Sequence, residues 1–309
     1  MAKFPFPVTP EMIAIAIAYH NKKMIADEVL PRVTVGKKVF KFLKYALAQG
    51  FTIPDTRVGR KSQPNEVDFN ATETESSVED FGLDDPVPQD DIDNAPDNHD
   101  PLGQAVEGIM RLVELDREVR TANLVFNANS YGANNKVTLS GTDQFSDFAN
   151  SDPIGMIMDA LDSMIMRGNI AVIGRPVWSM LCRHPKIVKA VLGNSGDSGV
   201  ARREDVAALL ELDQILVGEA WVNTAKKGQA ATLARTWGKH ISLIHQDKTA
   251  NTRNGATFGY TAQYGTRIGG HEPDSKIGLR GGQRCRAGES VKEIICADDL
   301  GYFIQNAVA

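Results

Sequence analysis

Fragments of several catalytic motifs occur in the sequence, but each lacks a residue that its chemistry requires. A P-loop needs a leading glycine and a Ser or Thr after its Gly-Lys pair, and neither residues 36–37 nor residues 238–239 have that context. The stretch Gly193-Asn-Ser-Gly196 resembles a nucleophile elbow, but Asp197 stands where the next glycine is needed. The sequence therefore indicates neither nucleotide hydrolysis nor acyl transfer.

Metal-ligand spacing is similarly incomplete. Asp91 and Asp93 are spaced like the first ligands of an EF-hand, but Pro96 occupies the position of the obligatory turn glycine. His240 and His245 are five residues apart on an expected strand and turn, so they would not share a face. The three cysteines have no C-x-x-C spacing, and we interpret them as reduced, isolated thiols. We predict no cofactor, no metal and no enzymatic activity.

Composition is that of an ordinary globular protein. The 309 residues are 42% hydrophobic and 24% charged, and the net charge of -5 argues against a dedicated nucleic-acid-binding protein. The apolar stretch 12–19 is too short for a membrane span and lacks the flanks of a signal peptide. We therefore expect neither export nor membrane insertion.

Two projecting segments are expected near the N-terminus. The alternating prolines of residues 4–7 favour an extended apolar arm, followed by a helix from Pro10 to Ala26, and we expect the arm to dock onto a neighbouring subunit. Residues 32–61 are strongly basic and include alternating apolar residues, and residues 67–71 alternate again. With the polar turn 57–65 between them, these runs predict a long two-stranded arm that needs a partner surface.

The segment that follows the basic arm is acidic. Residues 79–100 carry nine acidic side chains, no Lys or Arg, and three prolines. One interpretation is a solvated connection; the other is that the basic arm of one subunit lies over this acidic surface of the next. On the second interpretation, the candidate inter-subunit contacts are Phe4, Phe6, Lys37, Lys38, Phe40, Lys41, Phe42, Lys44, Arg57, Arg60, Lys61, Phe69, Glu79, Asp80, Asp84 and Asp85.

A long helix is predicted between residues 100 and 126. Asp100 can act as its N-cap, Pro101 suits the first helical position, and Asp116 and Arg120 can form an exposed i,i+4 pair. A helical length of this kind suggests a spine lying across a sheet. The predicted apolar stripe consists of Leu102, Ala105, Ile109, Leu112, Leu115, Val119, Ala122 and Phe126.

The second half of the chain alternates short helices and strands, which predicts a mixed α/β domain within an α+β protein. All three tryptophans are expected in the core, residues 247–271 are expected to be loop, and Gly278–Gly282 is expected to be a turn. The predicted helices span residues 153–167, 176–184 and 204–210, and the predicted strands span 170–174, 214–217, 219–222, 237–244, 290–297 and 302–304.

Five stretches, in this order, are similar to the major capsid proteins of tailed bacteriophages. They cover roughly residues 30–244, which is most of the chain. They are Leu30-Pro-Arg-Val-Thr-Val-Gly-Lys-Lys38, Phe81-Gly-Leu-Asp-Asp-Pro-Val-Pro88, Asp116-Arg-Glu-Val-Arg-Thr-Ala-Asn123, Arg175-Pro-Val-Trp with His184-Pro-Lys-Ile187, and Ile215-Leu-Val-Gly218 with Asn223-Thr-Ala225 and Trp237-Gly-Lys239.

This resemblance implies an HK97-type fold and five segments. They are an N-terminal arm and helix (1–31), an extended hairpin loop (32–80), a peripheral domain (81–150) with its spine helix (101–126), an axial domain (151–275), and closing strands shared by both domains (276–309).

The resemblance also implies a function. The chain would self-assemble, as hexamers and pentamers, into an icosahedral shell around double-stranded DNA, as a virion capsid assembled in the host bacterial cytoplasm. Implied partners are a separate scaffolding protein, a portal, a possible decoration protein and DNA bound without sequence specificity, with no membrane. We expect no covalent Lys–Asn cross-link. The alternatives are an encapsulin-like compartment of the same fold and, from a different class, a metabolic enzyme with an unrecognised site.

Overall fold

The computed structural model describes residues 10–18, 24–45, 52–66, 71–97, 99–193, 198–226, 228–252 and 255–309. The α-helices are α1 (Pro10–Ala18), α2 (Ala26–Val29), α3 (Gln89–Asp93), α4 (Pro101–Val125), α5 (Pro153–Asp162), α6 (Arg175–Leu181), α7 (Pro185–Leu192) and α8 (Arg203–Leu209). The strands are β1 (Arg32–Val35), β2 (Val39–Tyr45), β3 (Ala71–Ser77), β4 (Glu79–Pro88), β5 (Lys136–Thr138), β6 (Ile170–Gly174), β7 (Gln214–Gly218), β8 (Trp221–Asn223), β9 (Leu233–Arg235), β10 (Ile241–Ile244), β11 (Gly259–Tyr264), β12 (Ile268–Asp274), β13 (Gly282–Ile295) and β14 (Gly301–Gln305).

The long helix α4 begins and ends close to the predicted residues. The Asp100 side chain accepts a hydrogen bond from the Leu102 backbone N at 3.1 Å, and Pro101 occupies the first turn, where its missing N–H costs no helical hydrogen bond. Asp116 and Arg120 form the predicted i,i+4 ion pair. The capping chemistry is local, which is why the sequence alone locates this helix.

The buried face of α4 differs from the predicted stripe. Leu112 is 54% exposed, whereas Glu114, Arg117 and Glu118 are buried. The apolar periodicity is misleading here because charged side chains form part of the inward face and find partners elsewhere in the chain. The prediction of a purely apolar stripe is therefore wrong in the second half of the helix.

A first sheet is built around the long strand β13. Its path is β1-β11-β13-β12, and β4 pairs antiparallel with β13 from Glu79 opposite Val291 to Pro88 opposite Gly282. The first half of α4 packs against this sheet, with Ile109 and Met110 beside Ala287 in one apolar cluster.

The strands β4, β11 and β12 correct two predictions. Residues 79–88 are an edge strand instead of a solvated connection, and the region 247–271, predicted as loop, contains β11 and the start of β12. Pro86 and Pro88 are tolerated because β4 pairs with β13 on one side only, so donors are needed along only one edge. All three segments form strands by pairing with β13, which is far from β4 in the sequence and therefore gave no local signal.

A second sheet has the order β5-β14-β10-β6-β7 and is covered on both faces. Along β6, Ala171 and Ile173 face a core formed with α5, α6, α7 and α8, while Ile170 and Val172 face a second core that includes the end of α4. The period-two alternation of side chains explains why one fully buried strand serves both cores. Helix α4 thus spans the two sheets.

Two further predictions need correction. Trp178 and Trp237 are buried, but Trp221 is 49% exposed, with the Arg235 guanidinium 4.1 Å from its ring centroid. The helix predicted over residues 176–184 stops before Pro185 as expected, but a further helix, α7, was not predicted; it begins at Pro185, where His184 Nδ1 accepts a hydrogen bond from the Lys186 backbone N at 3.3 Å and acts as the N-cap. The turn at residues 278–282 is confirmed, with positive φ at Gly278 and Gly281.

Candidate inter-subunit surfaces

The basic arm is a two-stranded antiparallel hairpin, as predicted. Strands β2 and β3 pair from Val39 opposite Ser77 to Tyr45 opposite Ala71. The described second strand, β3, runs from Ala71 to Ser77, and residues 67–70 of the predicted run lie outside the described residues. This register places the basic residues of β2 opposite the acidic and hydroxyl residues of β3, which stabilises the hairpin through cross-strand pairs.

The base of the arm is packed on the chain's own first sheet. Phe42 is only 7% exposed and clusters with Val35, Val78 and Tyr260. Phe40 is half-buried beside it, with the two ring centroids 6.5 Å apart. Both aromatic residues therefore help to fix the arm to its own subunit, and Phe42 has little surface left for a neighbour.

Beyond the paired strands, every residue from 52 to 66 is exposed. Ile53 is 90% exposed although it is apolar, and the basic Arg57, Arg60 and Lys61 lie in the same segment. Its internal hydrogen bonds are local, such as Arg57 N to Asp55 Oδ1 at 3.0 Å. We define residues 52–66 as the arm tip.

Much of the predicted acidic acceptor surface is neutralised within the chain. Asp80 pairs with Lys38 at 2.5 Å and accepts a hydrogen bond from the Ser290 hydroxyl, and these bonds lower the Asp80 pKa. Lys41 of β2 pairs with Glu73 of β3 at 2.7 Å. Lys38, Lys41 and Asp80 are thus held by partners in their own subunit.

Strand β13 neutralises two more acidic residues of β4. Glu79 pairs with Lys292 at 2.6 Å and Asp84 with Arg286 at 2.5 Å, and the hydrogen bond in each pair lowers the carboxyl pKa. The arm of a neighbour would have to compete with these bonds.

The remaining predicted contact residues are either exposed, paired through their backbone, or outside the described residues. Lys37 and Asp85 are exposed, and the backbone of Lys44 pairs with Thr72 in the hairpin. Phe4, Phe6 and Phe69 lie outside the described residues.

The first helix docks on its own subunit. Met12 and Ala16 of α1 are buried against α4 and the first sheet, and the Ala16 carbonyl accepts a hydrogen bond from Arg267 at 3.1 Å. Gly269 permits the close approach, since a Cβ there would lie 2.7 Å from the Met12 carbonyl oxygen. The expectation of docking onto a neighbour thus concerns only the residues before α1.

A cluster of buried charges positions the segment that leads into the arm, and the sequence analysis missed it. Glu118 accepts hydrogen bonds from the backbone N of Ile25 at 3.1 Å, from that of Ala26 at 2.8 Å, and from Trp237 Nε1 at 2.5 Å. Burial raises the Glu118 pKa, against the effect of these donors. One carboxylate therefore joins the start of α2, helix α4 and Trp237, which lies two residues after β9.

Arginines complete this cluster around Asp27. Arg117 pairs with Asp27 and donates to the Leu30 carbonyl at 3.3 Å, and Arg32 pairs with Asp27 at 2.6 Å. Burial of Asp27 would raise its pKa, but the charges and hydrogen bonds of Arg117 and Arg32 lower it to about 2.

The cluster extends into the first sheet through Glu289. Arg32 pairs with Glu289 at 2.7 Å and Arg267 with Glu289 at 3.1 Å, while Arg267 also reaches Glu114 at 2.9 Å. Burial opposes ionisation of Glu289, but the two arginines lower its pKa overall. We call seven side chains, all buried except the partly exposed Asp27 and Arg32, the buried-charge network: Asp27, Arg32, Glu114, Arg117, Glu118, Arg267 and Glu289.

The network could not be read from local sequence. Its partners lie far apart along the chain, as Arg32 and Glu289 show, and a charged residue inside an otherwise amphipathic helix is normally assigned to the solvent face. Two of the stretches that resemble capsid proteins do contain members of the network: Leu30–Lys38 contains Arg32, and Asp116–Asn123 contains Arg117 and Glu118.

Other kinds of site are not found in the described part of the chain. Within those ranges there is no group of three His, Cys, Asp or Glu side chains arranged to hold a metal ion. None of the helices described there has the length and apolarity to cross a membrane.

Comparisons with known proteins agree with one another. No family model matches, but a curated major capsid protein of Pseudomonas phage JBD67 is 60% identical over the full length of both chains. A phage-related protein from Bordetella bronchiseptica RB50, solved by crystallography, has a TM-score of 0.78 at 23% identity, covering 98% of this chain and 99% of that one. The capsid structure of cyanophage P-SCSP1u gives a TM-score of 0.58 at 10% identity, covering 99% and 92%.

The fold and the relatives point to the same family. The α+β arrangement of an arm, a long helix and two sheets is that of HK97-type capsid proteins. The chain therefore belongs to the phage major capsid proteins, whose copies assemble into the shell of the virion.

Proposed function

We propose that this subunit builds an icosahedral shell around the double-stranded DNA of a tailed phage, and that the arm tip lies over a neighbouring subunit. The observation that carries the proposal is the exposure of every residue from 52 to 66 on an arm whose base is fixed. Ile53 and Val58 both expose apolar surface in this segment, and a contact with another subunit would remove that surface from water.

The fixed base gives the arm a defined direction. Phe42 and Val78 attach the hairpin to the first sheet, and the buried-charge network holds β1, which is followed within a few residues by β2. A contact made by a preorganised segment loses less conformational entropy than one made by a flexible tail. Repeated around a closed lattice, a modest contact at each arm tip stabilises the whole shell.

The charge balance is compatible with a DNA container. A net charge of -5 does not favour strong binding of phosphates along the wall, and such binding would hinder movement of DNA into and out of the shell. The proposal includes assembly in the bacterial cytoplasm with a separate scaffolding protein and a portal, a possible decoration protein, and no covalent cross-link between subunits.

The experiment is deletion of residues 57–65, with a control in which the same nine positions are replaced by Gly and Ser. Because the deleted residues are exposed, the shortened subunit should keep its fold by circular dichroism. We expect it to form no shells in electron micrographs of expressing cells. Normal shells from the deletion variant would contradict the role of the arm tip.

The Gly/Ser control keeps the length of the arm and removes the side chains of its tip, so it shows which of the two assembly requires. If it fails as the deletion does, the side chains of the tip make the contact.

The contents of wild-type particles from phage-producing cells test the enclosed cargo: double-stranded DNA supports the proposal, whereas an enzyme cargo without DNA would favour the encapsulin-like alternative.

A further inference from the structure

An open cleft of about 430 Å³ lies beside the C-terminal end of α4, where the helix and the loop after it meet the second sheet. Small-molecule sites in proteins have volumes of about 300–1,000 Å³, so the cleft has room for a small ligand. Most of its lining consists of amide side chains and aromatic rings: Asn123, Phe126, Asn127, Asn129, His240 and Gln305.

Three of these side chains have an engaged acceptor and a free donor. Asn127 Oδ1 accepts a hydrogen bond from a backbone N at 3.0 Å, and Gln305 Oε1 accepts one from the Thr138 hydroxyl at 3.2 Å. His240 Nδ1 accepts from the Asn306 backbone N at 3.0 Å, which places the proton of the neutral ring on Nε2. Among the described residues, no acceptor takes the hydrogens on Asn127 Nδ2, Gln305 Nε2 or His240 Nε2.

The charges around the cleft favour a neutral ligand. None of the described residues that line it is charged at neutral pH, since burial lowers the pKa of His240. The lysines nearest along the chain, Lys136 and Lys239, donate to the backbone carbonyls of Ala128 and Ala309. A cation would find no carboxylate in this lining, and an anion would meet the negative end of the α4 dipole. The free donors therefore suit a neutral ligand that is rich in acceptor oxygens.

We propose that this cleft binds a neutral sugar that carries an N-acetyl group. The carbonyl and hydroxyl oxygens of such a sugar accept hydrogen bonds from several donors at once, and its methyl group can pack on the half-buried ring of Phe126. Asn123 and Asn129 are exposed at the cleft, and their amide oxygens can accept from the sugar hydroxyls. The site goes beyond the shell function, because it needs neither a second copy of the chain nor DNA.

A peptide strand fits this cleft less well than a sugar. Strand β14 pairs with β10 on one side and with β5 on the other, so it offers no open edge to which a further strand could add. The free hydrogen-bonding groups of the lining are side chains from the helix end, the following loop and the sheet. Groups that converge from several elements suit the oxygens around one sugar ring.

The test titrates N-acetylglucosamine into the full-length, unassembled subunit and follows the sugar by saturation-transfer NMR. Asn127→Asp and Gln305→Glu keep the oxygen that accepts the existing hydrogen bond but replace the free donor with a carboxylate oxygen. We expect saturable binding to the wild type and an affinity about tenfold lower, or less, in each cleft variant. Gln104→Glu makes the same change at an exposed position of α4 outside the cleft and should bind like the wild type.

The absence of saturable binding to the wild type would overturn the proposal, as would wild-type affinity in both cleft variants. All three variants should keep the thermal unfolding of the wild type, because none of the changed side chains is buried.

Three further ligands test the chemical class: glucose, which lacks the acetamido carbonyl, N-acetylglucosamine 6-phosphate, which adds negative charge, and the blocked peptide acetyl-Ala-Ala-amide. Each should bind more weakly than N-acetylglucosamine. Equal or tighter binding of glucose, the phosphate or the peptide would refute the assignment of the cleft to a neutral N-acetyl sugar.

Discussion

At the scale of single residues, the central feature is that acidic side chains which look alike in sequence have different roles. Asp80 and Asp84 are exposed members of strand pairs, whereas Glu118 and Glu289 are buried and accept several hydrogen bonds. Sequence reasoning identified the first group as charged surface. It missed the second because burial depends on Arg32, Trp237 and Arg267, which lie far away along the chain.

Replacing Glu118 by Gln should destabilise the subunit by about 2–4 kcal/mol. The neutral amide can no longer serve as acceptor for Ile25 N, Ala26 N and Trp237 Nε1 together, so at least one buried donor loses its partner. Urea unfolding of the unassembled subunit measures the effect. The control is Asp116→Asn in the partly exposed pair with Arg120, which should change stability by less than about 1 kcal/mol. Equal effects would contradict the assigned role of Glu118.

The stability contributed by Asp27 should depend on pH. Its pKa falls from 3.8 to about 2 in the folded chain, so the contribution is complete above about pH 4 and is lost as the pH falls through about 2. The unfolding free energies of wild type and Asp27→Asn should therefore differ by about 2 kcal/mol near neutral pH and converge toward pH 2. A difference that stays constant over this range would show that the charge of Asp27 is not responsible.

At the scale of elements, the helices and strands that depend on interactions between neighbouring residues were predicted correctly from the sequence. The cap at Asp100 located the start of α4, and the apolar run 170–174 located β6. Strands β4 and β12 were not found because their polar and proline-containing sequences become strands only by pairing with β13. The mixed face of α4 was misassigned for a related reason, since its charged residues are compensated by distant partners.

The docking of α1 gives a prediction at this scale. A side chain at Gly269 would collide with the Met12 carbonyl, 2.7 Å from the added Cβ, so Gly269→Val should displace α1 from β12. Amide hydrogen exchange should then increase in residues 10–18 while β6 and β10 stay protected. Gly36→Ala is the matched control, because nothing lies within 4 Å of its added Cβ. Unchanged protection of α1 in Gly269→Val would refute this packing argument.

At the scale of the whole molecule, many apolar and charged side chains of the subunit have partners within the same chain, whereas those of one defined segment remain exposed. The base of the arm, helix α1 and the acidic strand β4 all have partners in the same chain. The arm tip exposes apolar and charged side chains on a hairpin whose base is fixed. The resemblance in sequence predicted the fold and the family, but only the structure separates charges paired within the subunit from those left for assembly.

A cryo-electron microscopy map of particles assembled from the wild-type chain tests the central claim most directly. The subunit structure predicts that residues 52–66 lie on an adjacent subunit, with Ile53 removed from solvent and Arg57, Arg60 or Lys61 within ion-pair distance of acidic residues of that neighbour. Closed particles in which this segment projects into solvent, or folds back on its own subunit, would contradict the claim.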